Sequence, residues 1–259
     1  MAASKKKRLD LAVLNRGFAP SRQRARALIM SGKVLVNRKS IDKPGMAVAD
    51  QDEILVKGDD SPFASRGGLK LEAALKALEV IVAGKICLDV GASTGGFTDC
   101  LLQHGARKVY AVDVGYGQLA WKLRQDPRVA VFERTNIRHL PFETVGEPVD
   151  IVTIDVSFIS LRIVVPAVLK FMKANAAVLA LIKPQFEVGK GKVGKGGVVR
   201  DPRLHQQVLD ELTVFFSRMP LLVSDVIDSP VLGPKGNKEF FLFLQRSPTD
   251  HGISNASLR

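Results

Sequence analysis

Thiols are scarce in this chain. Its 259 residues include two cysteines, Cys87 and Cys100, both in apolar surroundings. A disulfide framework or a zinc site needs more, so both are expected as reduced core residues of a cytosolic protein. Long apolar runs are missing too, and none reaches the roughly 18 residues of a membrane span. Lys5-Lys6-Lys7-Arg8 is basic but lacks the apolar segment that would make it a signal peptide. Carboxylates are in deficit: 26 Asp and Glu stand against 38 Lys and Arg, a formal charge of +12. Residues 1–60 carry 13 basic and 7 acidic side chains, and residues 183–203 carry 6 and 2, so two segments hold most of the excess. Basic charge so concentrated fits a polyanionic partner, because each Lys or Arg that neutralises a phosphate releases counterions.

What is present is an ordinary globular composition, 46% hydrophobic with 22 Gly and 13 Pro. That suffices for one large core and a small satellite. The satellite is read over residues 7–57. Leu11 and Leu14 share one side of a helix that Gly17 stops, and Ser21 caps a second helix running from Arg22 to Met30. Ala25, Leu28 and Ile29 form its apolar face, with Arg22, Arg24 and Arg26 turned largely elsewhere. Val34 to Asn37 and Ile54 to Val56 read as short strands. Arg8-Leu9-Asp10, Ser21 to Ala25 and Ile29 to Asn37 resemble the S4 domain, the RNA-binding module first known from small-subunit ribosomal protein four. The resemblance implies RNA contacts from Arg8, Arg22, Arg24, Arg26 and Lys33.

Residues 58–64, opening Gly58-Asp59-Asp60-Ser61-Pro62, read as a linker, and residues 247–259 as a polar tail. Between them, over residues 65–246, apolar strands alternate with helices: Ile86 to Val90, Val109 to Asp113, Val129 to Glu133, Ile151 to Asp155, Val178 to Ile182, Leu222 to Ile227 and Phe240 to Leu244. Such alternation predicts an α/β fold with a largely parallel sheet covered on both faces.

The sharpest local signal is Asp89-Val90-Gly91-Ala92-Ser93-Thr94-Gly95-Gly96-Phe97-Thr98, between the first core strand and its helix. Glycines there allow a tight turn and close approach of a ligand to the backbone. Asp113 ends the next strand, where a ribose diol is gripped in nucleoside-binding sheets. A dinucleotide fingerprint would have glycine at the third position, which is Ser93. A carboxylate such as Asp89 suits the amino group of S-adenosylmethionine better than a pyrophosphate. Val114 and Asn136 complete the expected donor-contacting set, with Asp155 shared between donor and reaction.

Asp155 and Lys183 end the fourth and fifth core strands, and Glu239 begins the last. With the last strand antiparallel beside the fifth, all three lie at one edge of a sheet whose strands are about 4.8 Å apart, and a cluster is expected. Here the chain resembles the FtsJ-like ribose 2′-O-methyltransferases, which use a Lys-Asp-Lys-Glu tetrad. That resemblance makes Lys70, in Ser65-Arg66-Gly67-Gly68-Leu69-Lys70, the first member, followed by Asp155, Lys183 and Glu239. It also implies a Rossmann-like sheet of seven strands. With the S4-like unit in front, residues 6–246 are identified as a member of the TlyA family of ribosomal RNA methyltransferases, historically called haemolysin A. The family implies S-adenosyl-L-methionine as donor, ribosomal RNA or ribosomal subunits as partner, a cytoplasmic monomer, and RNA contacts from Arg66 and the loop lysines Lys190, Lys192 and Lys195.

The chemistry is consistent. A 2′-hydroxyl is a poor nucleophile until deprotonated, and Lys183 acts as base only if desolvation and Lys70 outweigh Asp155 and Glu239. Positioning therefore matters as much as proton removal. The sulfonium donor carries its own leaving group, so no metal is required. Amino-group methylation would favour an Asn/Asp-Pro-Pro-aromatic turn where Asp155-Val156-Ser157-Phe158 stands. Base C5 methylation needs a cysteine in the cleft. A non-enzymatic RNA-binding protein has no need of four converging charges, and a pore-forming haemolysin would show amphipathic membrane segments.

Overall fold

The computed structural model describes residues 6–19, 21–56, 62–189 and 191–247, and the chain divides into two units, residues 1–60 and 61–259. The first contains β1 (Lys7–Arg8), α1 (Leu9–Asn15), α2 (Arg22–Met30), β2 (Val34–Val36), β3 (Lys39–Ile41), β4 (Ala47–Val48) and β5 (Ile54–Val56). Gly17, at φ +76°, turns the chain out of α1, and Ser21 Oγ accepts from Arg24 N at 3.2 Å to start α2. Leu9, Val13, Ala25, Ile29, Val34 and Val36 are buried together. The strands make an antiparallel sheet, β3-β2-β5, and a two-stranded ribbon, β1-β4. The charged edge of β3 and the two-residue β4 carry too little apolar patterning to be read from the sequence.

The second unit contains α3 (Gly67–Ala77), β6 (Ile86–Val90), α4 (Gly96–Gln103), β7 (Lys108–Val112), α5 (Trp121–Arg124), β8 (Val129–Phe132), α6 (Phe142–Val145), β9 (Val149–Ile154), α7 (Leu161–Val168), β10 (Met172–Ile182), α8 (Pro202–Phe216), β11 (Leu221–Asp228) and β12 (Phe240–Arg246). Seven strands form one sheet in the order β11-β12-β10-β9-β6-β7-β8. β12 is antiparallel to both neighbours, while the pairs from β10 to β8 are parallel. Val164 and Val168 of α7 with Leu212 and Phe216 of α8 cover one face, and Leu71 and Leu75 of α3 with Phe97 and Leu101 of α4 cover the other. β6 is buried along its whole length, which is why it reads as a continuous apolar run rather than an alternation.

Strand β10 starts six residues earlier than its apolar run suggested. Its opening half, Met172 to Ala177, carries a register shift against β9 and exposed polar residues. The expected linker also ends earlier than residue 64. Phe63 is buried under α3, where a side-chain carbon on Gly68 would overlap its ring. Ala64 N donates to Asp99 Oδ2 at 2.7 Å. Residues 58–61 of the expected linker, the last residue of the expected S4-like unit (57) and residues 248–259 of the expected tail lie outside the described residues.

The chain runs β6, β7, β8 in one direction from β6 and then crosses to β9 on its other side. Strand order reverses there, so loops following β6 and β9 diverge and leave a crevice at their carboxyl ends. Among the described residues, no helix is long and apolar enough to cross a membrane.

Candidate active site

Two cavities open at that crevice. The larger, of about 500 Å³, is lined by Asp113, Val114, Gln118, Asn136, Ile137 and Val156 among others. The smaller, of about 260 Å³, is lined by Arg66, Lys70, Thr94, Phe97, Lys183 and Gly233 among others. Gly91, Ser93 and Asp155 line both, so they form the wall where the two meet.

The glycine-rich turn owes its shape to close approach. Gly91 has φ +86°, and a side-chain carbon there would overlap the Asp155 carbonyl oxygen. Gly95, at φ +93°, lies against Leu119 and Leu123, and Gly96 against Ser65 and the backbone of α3. Ser93 takes φ +48°, and its amide donates to Asp113 Oδ2 at 2.7 Å. Asp113 Oδ1 accepts from Gly115 N at 2.6 Å. The Ser93 amide, which a dinucleotide loop would offer to a phosphate, is thus already committed to a carboxylate. Each Asp113 oxygen retains a second lone pair, and the residue lines the larger cavity.

The four tetrad residues form two ion pairs. Lys183, one residue past β10, has Nζ 2.5 Å from Asp155 Oδ1, one residue past β9, and donates to Ser157 Oγ at 3.2 Å. Lys70, on the first turns of α3, donates to Glu239 Oε2 at 2.5 Å across 169 residues of sequence. Lys70, Asp155 and Lys183 line the smaller cavity; Glu239 does not, being fully buried behind Lys70. Its Oε1 has no hydrogen-bond partner and lies so close to Gly233 that a β-carbon there would overlap it. Glu239 is therefore held against Lys70 and does not face the cavity.

One expected donor contact needs correction. Asp89 does not present its carboxylate to either cavity. It is fully buried, accepting from Thr98 Oγ1 at 2.6 Å and Thr153 Oγ1 at 3.1 Å, so Thr98 also faces inward. Gly95 lines neither cavity and acts on the turn's shape alone. Burial pushes the Asp89 carboxyl up to about 7, against the two threonine hydrogen bonds. A folded-state value above the ordinary one means the native protein holds a proton that the unfolded chain releases. Stability from this group is complete below about pH 4 and falls as pH rises towards 7. Asp89→Asn removes that loss. Its melting temperature relative to wild type is expected to climb between pH 5 and pH 7.5, with donor affinity within about threefold. A pH-independent difference in thermal melts, or a collapse of donor binding in calorimetry, refutes the inward role.

The thiols are as remote from chemistry as their neighbours suggested. Cys87 and Cys100 are fully buried, and desolvation pushes the Cys87 thiol up to about 12 and raises that of Cys100 as well.

Of the expected RNA contacts, Arg24 and Arg26 stand exposed on α2 and Lys33 is half-buried. Arg8 and Arg22 are exposed but anchored. Arg8 donates twice, at 3.0 Å each, to the buried Asp10, and Arg22 Nε donates to the same carboxylate at 3.1 Å. The Arg8 hydrogen bonds, ahead of the burial that opposes them, hold that carboxyl down to about 2. Arg66 is exposed at the rim of the smaller cavity. Lys192 and Lys195 are exposed, with Lys192 Nζ 3.5 Å from Gln207 Oε1, and Lys190 lies outside the described residues. The sequence reading missed Ser65, Ser157, Gln118 and the Val231–Pro234 rim. The rim had one available signal: it lies in the short connection leading to Glu239 and β12.

Comparison with known proteins shows the family. The family pattern of FtsJ-like methyltransferases matches residues 63–246, and that of the S4 domain matches residues 7–54. A Mycobacterium tuberculosis protein named 16S/23S rRNA (cytidine-2'-O)-methyltransferase TlyA is 47% identical over 256 residues, 98% of this chain and 95% of that one. Hemolysin A of Brachyspira hyodysenteriae is 40% identical, over 90% of this chain and 97% of its own. A solved structure of a hemolysin-designated protein from Streptococcus thermophilus is 41% identical. It superposes with a TM-score of 0.72, covering 95% of this chain and 93% of that one.

Proposed function

Because the chain belongs to the TlyA family of ribosomal RNA methyltransferases, with an S4 domain ahead of an FtsJ-like methyltransferase domain, we propose a specific division of labour at its crevice. The larger cavity holds the nucleoside part of S-adenosyl-L-methionine, with Asp113 gripping the ribose diol and Val114, Asn136 and Ile137 enclosing the base. Gly91 to Phe97 form the floor between that nucleoside and the smaller cavity, which admits the target ribose. When bound, the donor supplies an electrophilic methyl on a sulfonium whose thioether leaves unaided. Lys183 orients the 2′-oxygen of the substrate, and its proton leaves through the Lys183–Asp155 pair. Lys70, held by Glu239, fixes the other side of the ribose. The observation that carries this reading is the wall shared by the two cavities, with Asp155 in it and Lys183 against Asp155.

The substrate proposed is a cytidine of ribosomal RNA, in keeping with the relative of 47% identity, and the enzyme works in the cytoplasm where ribosomal subunits are assembled. Incubation with ribosomal subunits and labelled donor, followed by mapping of ribose methylation, tests it. Label on a cytidine 2′-oxygen is the expected result, and label on a base refutes the reaction class.

RNA docking is assigned to the S4 unit and the loop bearing Lys192 and Lys195. Arg24 and Arg26 are the residues to test, because reversing Arg22 would also set a carboxylate against buried Asp10. Arg24→Glu with Arg26→Glu is expected to weaken RNA binding by about tenfold or more. The slope of log affinity against log salt should shrink by roughly one to two, and donor affinity should not change. Unaltered RNA titrations across a salt series remove this helix from the interface.

A further inference from the structure

One side-chain amide joins the basic loop to the segment that carries Glu239. Asn237 is 3% exposed. Its Oδ1 accepts from Val199 N at 3.1 Å, and its Nδ2 donates to the carbonyls of Gly197 and Pro234, each at 3.1 Å. Both amide protons are therefore used, one on the loop of residues 191–199 and one on the cavity rim. Other contacts run alongside. Lys235 Nζ donates to Gly196 O at 2.9 Å, and Gly233 N donates to Asn237 O at 2.9 Å. Val199 O lies 2.9 Å from His205 Nε2, and the His205 ring meets Phe240 edge-on. Both polar backbone groups of Val199 are thus held, one by Asn237, two residues before Glu239, and the other by His205 of α8, whose ring meets Phe240, the residue after Glu239. On the other side of the rim, Gly233 abuts the Glu239 carboxylate and lines the smaller cavity.

We propose that Asn237 is a positioning residue that ties the loop bearing Lys192 and Lys195 to the Glu239–Lys70 pair, so that RNA engaged by the loop sets the geometry for methyl transfer. The inference rests on the methyltransferase reading of the site. It follows from the partners: a residue that merely closed a turn would bond within its own segment, whereas Asn237 bonds residues 38 and 40 positions away as well as Pro234. Its nearly isosteric replacement by Asp keeps the acceptor for Val199 N. That change turns a carboxylate oxygen towards two carbonyl oxygens, which repel it and part the loop from the rim.

The test is steady-state methylation of ribosomal RNA by the full chain, with donor binding measured separately by calorimetry. Asn237→Asp is expected to lower kcat by about 10- to 100-fold, as a misplaced positioning group does. Donor Kd should stay within about twofold, because Asp113 and the glycine turn are untouched. Coupling is then read in a double-mutant cycle against Lys192→Ala with Lys195→Ala. In the wild-type background the lysine pair affects both kcat and KM for RNA; in the Asn237→Asp background it affects KM alone. Independent, multiplying effects on kcat overturn the proposal, as does loss of donor binding in step with kcat. Asn237→Ala, which removes the bonds without the repulsion, is read in the same way. Failure of both variants to fold makes Asn237 a plain packing residue and also overturns it. An inactive wild type would instead refute the reading of the site itself.

Discussion

Lys183→Ala lowers methyl transfer to ribosomal RNA by about 10³-fold or more and leaves donor binding within about twofold. The expectation is positional. β10 is a central strand paired on both sides, and Lys183 follows its last residue, with Pro184 fixing the chain immediately after. Its Nζ lies in the smaller cavity, 2.5 Å from Asp155 Oδ1 in the wall shared by the two cavities, where the proposed reading brings a substrate oxygen to a donor methyl. Its partners Asp155 and Ser157 line the larger cavity, but its side chain is not paired with Asp113, Val114 or Asn136, the residues proposed to hold the nucleoside, so donor affinity should change little. Its side chain is 11% exposed and that of Asp155 is 23%. The unpaired carboxylate left behind therefore still reaches water. The stability loss should fall between the ~1 kcal/mol of a surface pair and the ~3 kcal/mol of a broken buried one. Single-turnover transfer of labelled methyl, beside a thermal melt, reads both quantities. A wild-type rate in the variant refutes the assignment of Lys183.

Gly233→Ala is expected to cost about 100-fold in the same assay, although it adds a single carbon and changes no charge. That carbon would overlap Glu239 Oε1, so either the carboxylate or the rim must move. Glu239 is fully buried and anchored by its hydrogen bond to Lys70, and its own carbonyl accepts from Ser229 N at 2.9 Å. Whichever side yields, Lys70 or the cavity edge is displaced by a distance large on the scale of a reacting geometry. Gly233 has φ −70°, so alanine brings no backbone strain and the effect is one of crowding alone. Glu239→Gln provides the comparison. It keeps the volume and removes the charge, and should lose activity with little change in rim position. Full activity of Gly233→Ala would show that Glu239 can be moved without consequence and would detach it from the tetrad.

Much of this arrangement can be read from residues at strand ends. Asp113, Asp155 and Lys183 each stand one residue beyond an apolar run, and Glu239 one before, so a parallel sheet with one antiparallel member brings them to a single edge. Asp89 breaks that pattern, although the apolar run Ile86 to Val90 already enclosed it. It lies within β6 rather than after it, and there the alternation of side chains turns it inward to two threonines, one of them on a neighbouring strand. The pairing of the four charges was equally invisible. Sequence placed two lysines and two carboxylates together, but only side-chain reach decides that Lys70 takes Glu239 and Lys183 takes Asp155. Asn237 had no legible signal, since an asparagine before a strand is an ordinary turn residue. The short β3 and β4 escaped because two or three residues, with Val48 alone fully buried among them, carry no period to detect.

The place of β12 in the sheet also orders events during synthesis. Among the described residues, β11 pairs with no strand except β12, and β10 has β12 as its second neighbour. While the chain is being made, the strands that frame the larger cavity, β6 to β9, can already pair with one another. β10 meanwhile keeps an open apolar edge, and β11 waits without a partner. Only when the final strand slides between them does Glu239 reach Lys70. A nascent or truncated chain short of residue 240 would therefore have a donor crevice but no working centre, and would carry a bare strand edge prone to pairing with other chains. Methyl transfer is therefore expected only from chains that include β12, which a truncation series assayed with labelled donor would check.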